Sequence, residues 1–211
     1  MKNYKDPDKI YDIMNTTQSN YSNMLKRLQS KKTFSNFVIT YYSISLIVYS
    51  LTAEFYSDIF DVKLSSYFNI ILSVVVLTYS LIITNAKYSE RIQAAEKVLN
   101  EVKAKKRMLT KDTVKDVSIE YEKIMSKAEY RSEIDFFRTL KQKCKKYGVH
   151  WYRWNKGFEW DGIKLEEVER MQEYLGENFP IIQQIKIVFG YVWQGVIIGI
   201  PIVIFVFCFW K

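Results

Sequence analysis

Groups able to do acid–base, nucleophilic or metal chemistry are few in this sequence. It holds one histidine, His150, and two cysteines, Cys144 and Cys208, far apart along the chain. A zinc site needs three or four nitrogen and sulfur ligands at short spacing, and neither Cys-x-x-Cys nor His-Glu-x-x-His occurs. A phosphate-cradling Gly-rich loop and a Gly-x-Ser-x-Gly nucleophile turn are missing too. No catalytic residue, metal or cofactor is expected, and an enzyme is not the expected class. The two thiols read as buried or cytosolic rather than as a disulfide pair.

One stretch has the residue types of a ligand platform. Between Tyr147 and Gly162, Trp151, Trp154 and Trp160 offer faces for a nucleobase, Arg153 is able to stack, and Arg153 or Lys156 is able to meet a phosphate. The same residues suit anchoring at a membrane interface or the core of a small domain, and those readings carry more weight. The cluster Lys141, Lys143, Lys145 and Lys146 would attract anionic lipid or nucleic acid, but reads first as a solvated, membrane-facing edge.

A second constellation is hydroxyl and amide groups spaced along apolar runs. Asn36, Thr40, Ser43, Ser50 and Glu54 fall on one helical face, with Ile47 at the missing step. Asn69, Ser73, Ser80 and Thr84 form a matching face, with Val76 in the gap. Such side chains line a hydrated path at far lower cost than charges in lipid. They also let helices approach closely and hydrogen-bond across an interface, and this packing reading carries the greater weight. Gly195 and Gly199 form a small-xxx-small association face beside Gln194, with Pro201 able to kink the same helix.

The elements holding these residues follow from where charge is missing. Mean hydropathy is only −0.15, yet no Asp, Glu, Lys, Arg or His occurs from Thr33 to Ala53, Leu64 to Ala86 or Ile187 to Trp210. As helices these runs reach about 31 to 36 Å, enough for a hydrocarbon core of about 30 Å. An ordinary soluble domain is therefore not expected, and the aromatic content of 16% argues against disorder.

Charge placement also predicts orientation. Residues 1–32 carry seven Lys and Arg against three acids, and residues 87–186 carry 22 Lys and Arg. The short segment from Glu54 to Lys63 holds Glu54, Asp58 and Asp61 against one base. The positive-inside bias puts the N-terminus and the long middle region in the cytoplasm, and the C-terminus outside. No cleavable leader is expected in the first 32 residues, so the first apolar run is read as an uncleaved anchor. The net charge of +8 is then largely a matter of topology.

The expected fold is an all-α membrane protein with four parts. Residues 1–32 form a cytoplasmic amphipathic helix, 33–86 a transmembrane hairpin, 87–186 a cytoplasmic helical region and 187–211 a third, C-terminal transmembrane helix. A stripe of Ile10, Met14, Thr17, Tyr21, Met24 or Leu25, and Leu28 should face one of Tyr88, Ile92, Ala95, Leu99, Val102, Lys106 and Leu109. With no Gly or Pro from Leu64 to Leu109, the second span is expected to run on without a break. Val114, Val117, Tyr121, Ile124 and Ala128 mark one further helix face, and Ile134, Phe137, Leu140, Cys144 and Tyr147 another. A last amphipathic helix is expected over about Leu165 to Glu177.

This layout resembles the SLATT family, two-transmembrane effector domains associated with SMODS and SLOG modules in bacterial conflict systems. The local likeness lies in Met24-Leu25-Lys26-Arg27-Leu28, in Ala86-Lys87-Tyr88-Ser89-Glu90-Arg91, and in Ile119 to Met125 followed by Ala128 to Asp135. It covers about residues 8–145, and the last stretch is similar to the subgroup found beside reverse transcriptases. The third apolar run departs from a strict two-span layout.

The resemblance implies an antiviral effector of the bacterial inner membrane with no catalytic residues. It would damage that membrane, and so kill or arrest the host cell, after a signal from a partner enzyme or second messenger. The implied partners are the lipid bilayer, further copies of the chain, and an upstream reverse transcriptase or nucleotidyltransferase or its nucleotide product. Three helices do not enclose a water-filled hole, so a pore would need several subunits. The alternatives are a non-conducting membrane anchor or scaffold for a cytosolic nucleic-acid or signalling complex, and a small constitutive channel.

Overall fold

A computed structural model describes residues 6–146 and 181–209, and every regular element among them is an α-helix. In order these are α1 Pro7–Phe55, α2 Val62–Ala86, α3 Tyr88–Arg107, α4 Val114–Lys127, α5 Glu133–Lys146 and α6 Ile181–Cys208. The chain divides into two units, Met1–Arg27 with Ile92–Lys186, and Leu28–Arg91 with Ile187–Lys211. Helix α1 contributes to both. It begins where the Asp6 carboxylate accepts the Asp8 N–H at 3.0 Å, with Pro7 in the first-turn position that needs no N–H. It runs 49 residues, with no Gly or Pro after Pro7 before its end.

In the first unit the two expected stripes meet. Ile10 and Met14 of α1 bury against Val102 of α3 and against Val114 and Val117 of α4, with Val98, Leu109, Tyr121 and Ile124 packed around them. Each such side chain contributes about 1.5–3 kcal/mol on burial, against about 1 for a typical hydrogen bond. The apolar cluster therefore holds this unit, and polar contacts set its register. Lys106, a charge on an apolar stripe, is accommodated because its ammonium donates to Asn15 Oδ1 at 3.2 Å and Gln18 Oε1 at 2.7 Å. It also sits over the Tyr11 ring. The Thr17 and Tyr121 hydroxyls share a hydrogen bond of 2.8 Å.

The second unit is built on Val38, Tyr42, Tyr49 and Leu72, joined by Ile197, Ile204 and Phe205 of α6. Phe60, wholly buried, packs its ring on Phe205 and Phe209. Asp61 closes this end twice. Its carboxylate caps α2 by accepting the Leu64 N–H at 3.0 Å, and its own N–H donates to the Cys208 carbonyl at 2.9 Å.

The second span does not run on unbroken. Lys87 adopts φ 47° and ψ 40°, a left-handed conformation between α2 and α3. Its N–H donates to the Thr84 carbonyl, and its carbonyl accepts from Arg91 at the start of the next helix. Such a residue costs about 1–2 kcal/mol when it is not glycine, so the absence of Gly and Pro did not guarantee continuity.

Candidate functional site

Among the described residues three helices are long and apolar enough to cross a membrane: α1, α2 with α3, and α6. Within the second unit, α1 turns Val38, Tyr42, Ser45 and Tyr49 inward. Asn36, Thr40, Ile47, Ser50 and Glu54 are exposed, and Ser43 is half-buried. At about 100° per residue the two sets lie on opposite sides of the helix. On α2, Ser73 and Thr84 are exposed while Asn69 and Ser80 are half-buried. One contact joins the two stripes: Asn69 Nδ2 donates to Ser50 Oγ at 3.3 Å. The stripe hydroxyls also donate to their own helices, Ser50 to Leu46, Ser73 to Asn69, Ser80 to Val76 and Thr84 to Ser80. Asn69 Oδ1 is buried without a hydrogen-bond partner.

A seam of tyrosines, not singled out by the sequence pattern, ties α1 to α6. Pro201 has no N–H, so the Ile197 carbonyl one turn back has no ordinary helical donor. Tyr42 supplies one, its hydroxyl donating to Ile197 O at 2.8 Å. Tyr41 donates to Ile198 O at 3.1 Å, and Tyr49 to the Pro201 carbonyl. In hydrocarbon an unmet carbonyl costs several kcal/mol, so the hydroxyls make a mid-helix proline tolerable there. The detectable signal was Tyr41, Tyr42 and Tyr49 in one apolar run with a single intramembrane proline. Gly195 is exposed and Gly199 half-buried; a Cβ added at either meets no atom within 4 Å.

The first unit contains a buried ionic clasp. Arg27 of α1 reaches Asp135 of α5 through two hydrogen bonds of 2.8 Å, Nε to Oδ1 and Nη2 to Oδ2. Asp135 is completely buried and also accepts the Ser132 hydroxyl at 2.7 Å and the Ser132 N–H at 3.2 Å. In return Ser132 Oγ accepts the Asp135 N–H at 3.3 Å, a reciprocal capping box with Asp at the third position. Burial alone would raise the Asp135 pKa, but the hydrogen bonds from Arg27 and Ser132 together hold it below the ordinary carboxylate value. Beside the clasp, Asn23 donates to Thr139 Oγ1 at 3.0 Å and exchanges hydrogen bonds with the Gln142 amide at 3.2 Å each way. The clasp thus joins two sequence stretches, around Arg27 and around Asp135, that periodicity alone left unrelated.

Trp151, Arg153, Trp154, Lys156 and Trp160, with His150, lie outside the described residues, as does the helix expected over 165–177. Among the described residues no cluster of His, Cys, Asp and Glu is arranged to hold a metal ion. Compared with protein families, residues 5–207 match the family described as SMODS and SLOG-associating 2TM effector domain family 5. Among curated proteins and among solved structures nothing matches.

Proposed function

The chain belongs to the SMODS and SLOG-associating 2TM effector domain family, and on that premise we propose that it is an antiviral effector that opens a conducting path through the bacterial inner membrane. Several copies assemble with their hairpins together, N-termini in the cytoplasm, on a signal from a partner enzyme such as a reverse transcriptase or nucleotidyltransferase, or from its nucleotide product. The observation that carries this reading is the polar stripe of α1. It lies opposite the face packed within the second unit, so Asn36, Thr40 and Glu54 are left for water or for another copy. Asn69, bonded to Ser50, links this stripe to the exposed Ser73 and Thr84 on α2. Gly195 and Gly199, open to close approach, give α6 a surface for association.

The hairpin of residues 33–86 then lines the path, residues 187–211 brace it, and the cytoplasmic regions 1–32 and 87–186 receive the signal. A signal biases assembly only through different affinity for the resting and assembled states. The test is membrane potential in bacteria expressing the chain with its neighbouring genes during phage challenge. Depolarisation that is lost in a Thr40→Leu, Ser50→Leu, Ser73→Leu variant inserted at equal level supports the reading. A chain that protects without depolarising is an anchor or scaffold, and the pore reading fails.

A further inference from the structure

A cleft of about 590 Å³ lies between α3 and α4 in the first unit, within the roughly 300–1,000 Å³ range of small-molecule sites. Half-buried Val98 and Ile124 form its apolar floor, exposed Ala94 and Ala104 lie at its edge, and exposed Lys97, Lys123 and Lys127 stand around it. A fourth lysine, Lys105, is already ion-paired with Glu120. Lys97, Lys123 and Lys127 have no ion-pair partner among the described residues. Glu101 also lines the cleft and is the one carboxylate there outside that pair. Once Lys105 and Glu120 cancel, three cations face one anion over an apolar floor.

From this arrangement we infer that the α3–α4 cleft binds a soluble phosphate ester with a flat apolar body. The ammonium groups of Lys97, Lys123 and Lys127 meet the phosphate, the body lies on Val98 and Ile124, and Glu101 accepts a hydrogen bond from an N–H or O–H on that body. Charge-assisted bonds give the affinity, and the floor distinguishes an ester from inorganic phosphate. The inference is independent of conduction, because it is read as binding alone.

The test is calorimetric titration of the full chain in detergent micelles with adenosine monophosphate, inorganic phosphate and dihexanoyl phosphatidic acid in turn. Saturable binding of adenosine monophosphate, tighter than inorganic phosphate, is expected. The Lys97→Gln, Lys123→Gln, Lys127→Gln variant should weaken it about tenfold or more. A variant with equal charge loss elsewhere, Lys103→Gln, Lys111→Gln, Lys115→Gln, should not. Ala104→Phe, which adds bulk at the edge of the cleft and keeps every lysine, should weaken adenosine monophosphate more than inorganic phosphate. Absence of saturable binding up to about 10 mM probe, equal affinity in the two lysine variants, or preference for the phosphatidic acid overturns the inference. Matching circular dichroism spectra and melting of the variants separate lost binding from lost folding.

Discussion

Breaking the Arg27–Asp135 clasp should release α5 locally, and the two halves of the clasp should not be equivalent. Asp135 is completely buried and the Arg27 side chain is 15% exposed. Arg27→Met leaves a carboxylate in the interior with only Ser132 to answer it. Asp135→Leu leaves a guanidinium with a route to water. Removing one partner of a buried pair costs about 3–5 kcal/mol, so Arg27→Met should fall near the top of that range and Asp135→Leu near the bottom. At about 1.4 kcal/mol per tenfold, the protection of α5 amides should drop by roughly two to three and a half orders of magnitude. The double variant, which buries neither charge, should recover much of that loss.

The assay is hydrogen exchange of the full chain in micelles, corrected for intrinsic chemical rates, with α4 amides as the internal reference. pH supplies a second arm. The folded Asp135 pKa is depressed, so its contribution to α5 protection is full above the ordinary carboxylate range near pH 4. It is lost as pH falls below that range through the folded value. Changes under about threefold in both single variants, or a double variant equal to the sum of the singles, would refute the idea that this pair sets α5 docking.

Other consequences are as direct. Tyr42→Phe strands the Ile197 carbonyl and should lower stability in micelles by about 1–3 kcal/mol. Adding Pro201→Ala restores a backbone donor to that carbonyl, so thermal melting of the double variant should show a smaller loss than Tyr42→Phe in wild type. Burial pushes the Cys144 thiol up to about 11, leaving about a thousandth as thiolate at pH 8. In a Cys208→Ser background N-ethylmaleimide should therefore label it slowly, and Arg27→Met should speed labelling by opening α5. Equal labelling rates in the two chains, read by mass spectrometry, would disconnect Cys144 exposure from the clasp.

Much of this architecture was legible before any coordinates. The charge-free runs marked three helices of spanning length, because lipid excludes charge over a fixed thickness. The stripe Ile10, Met14, Tyr21, Met24 is buried, because three- and four-residue spacing is a geometric property of the helix. Asp135 escaped, since an acid among apolar positions reads as exposed until its partner, 108 residues away, is known. Lys87 escaped for another reason: a left-handed lysine has no sequence signature. The candidate site divides in the same way. The polar stripe on α1 could be written from spacing, but the side of the helix that packs could not, because either face was able to supply contacts. The tyrosine seam needed the third span beside the first, which no local pattern encodes.

The proposed conducting role of the hairpin is tested most directly by scanning it with cysteine. In a Cys144→Ser, Cys208→Ser background, Thr40→Cys, Ser50→Cys and Ser73→Cys would be expressed with the neighbouring genes, alongside Val203→Cys on the exposed side of α6. A membrane-impermeant methanethiosulfonate reagent is added while membrane potential is recorded during phage challenge. The reagent should suppress depolarisation at the three stripe positions and leave Val203→Cys unaffected. Depolarisation that proceeds unchanged at all three, with the cysteines unmodified, would contradict a water path along this face.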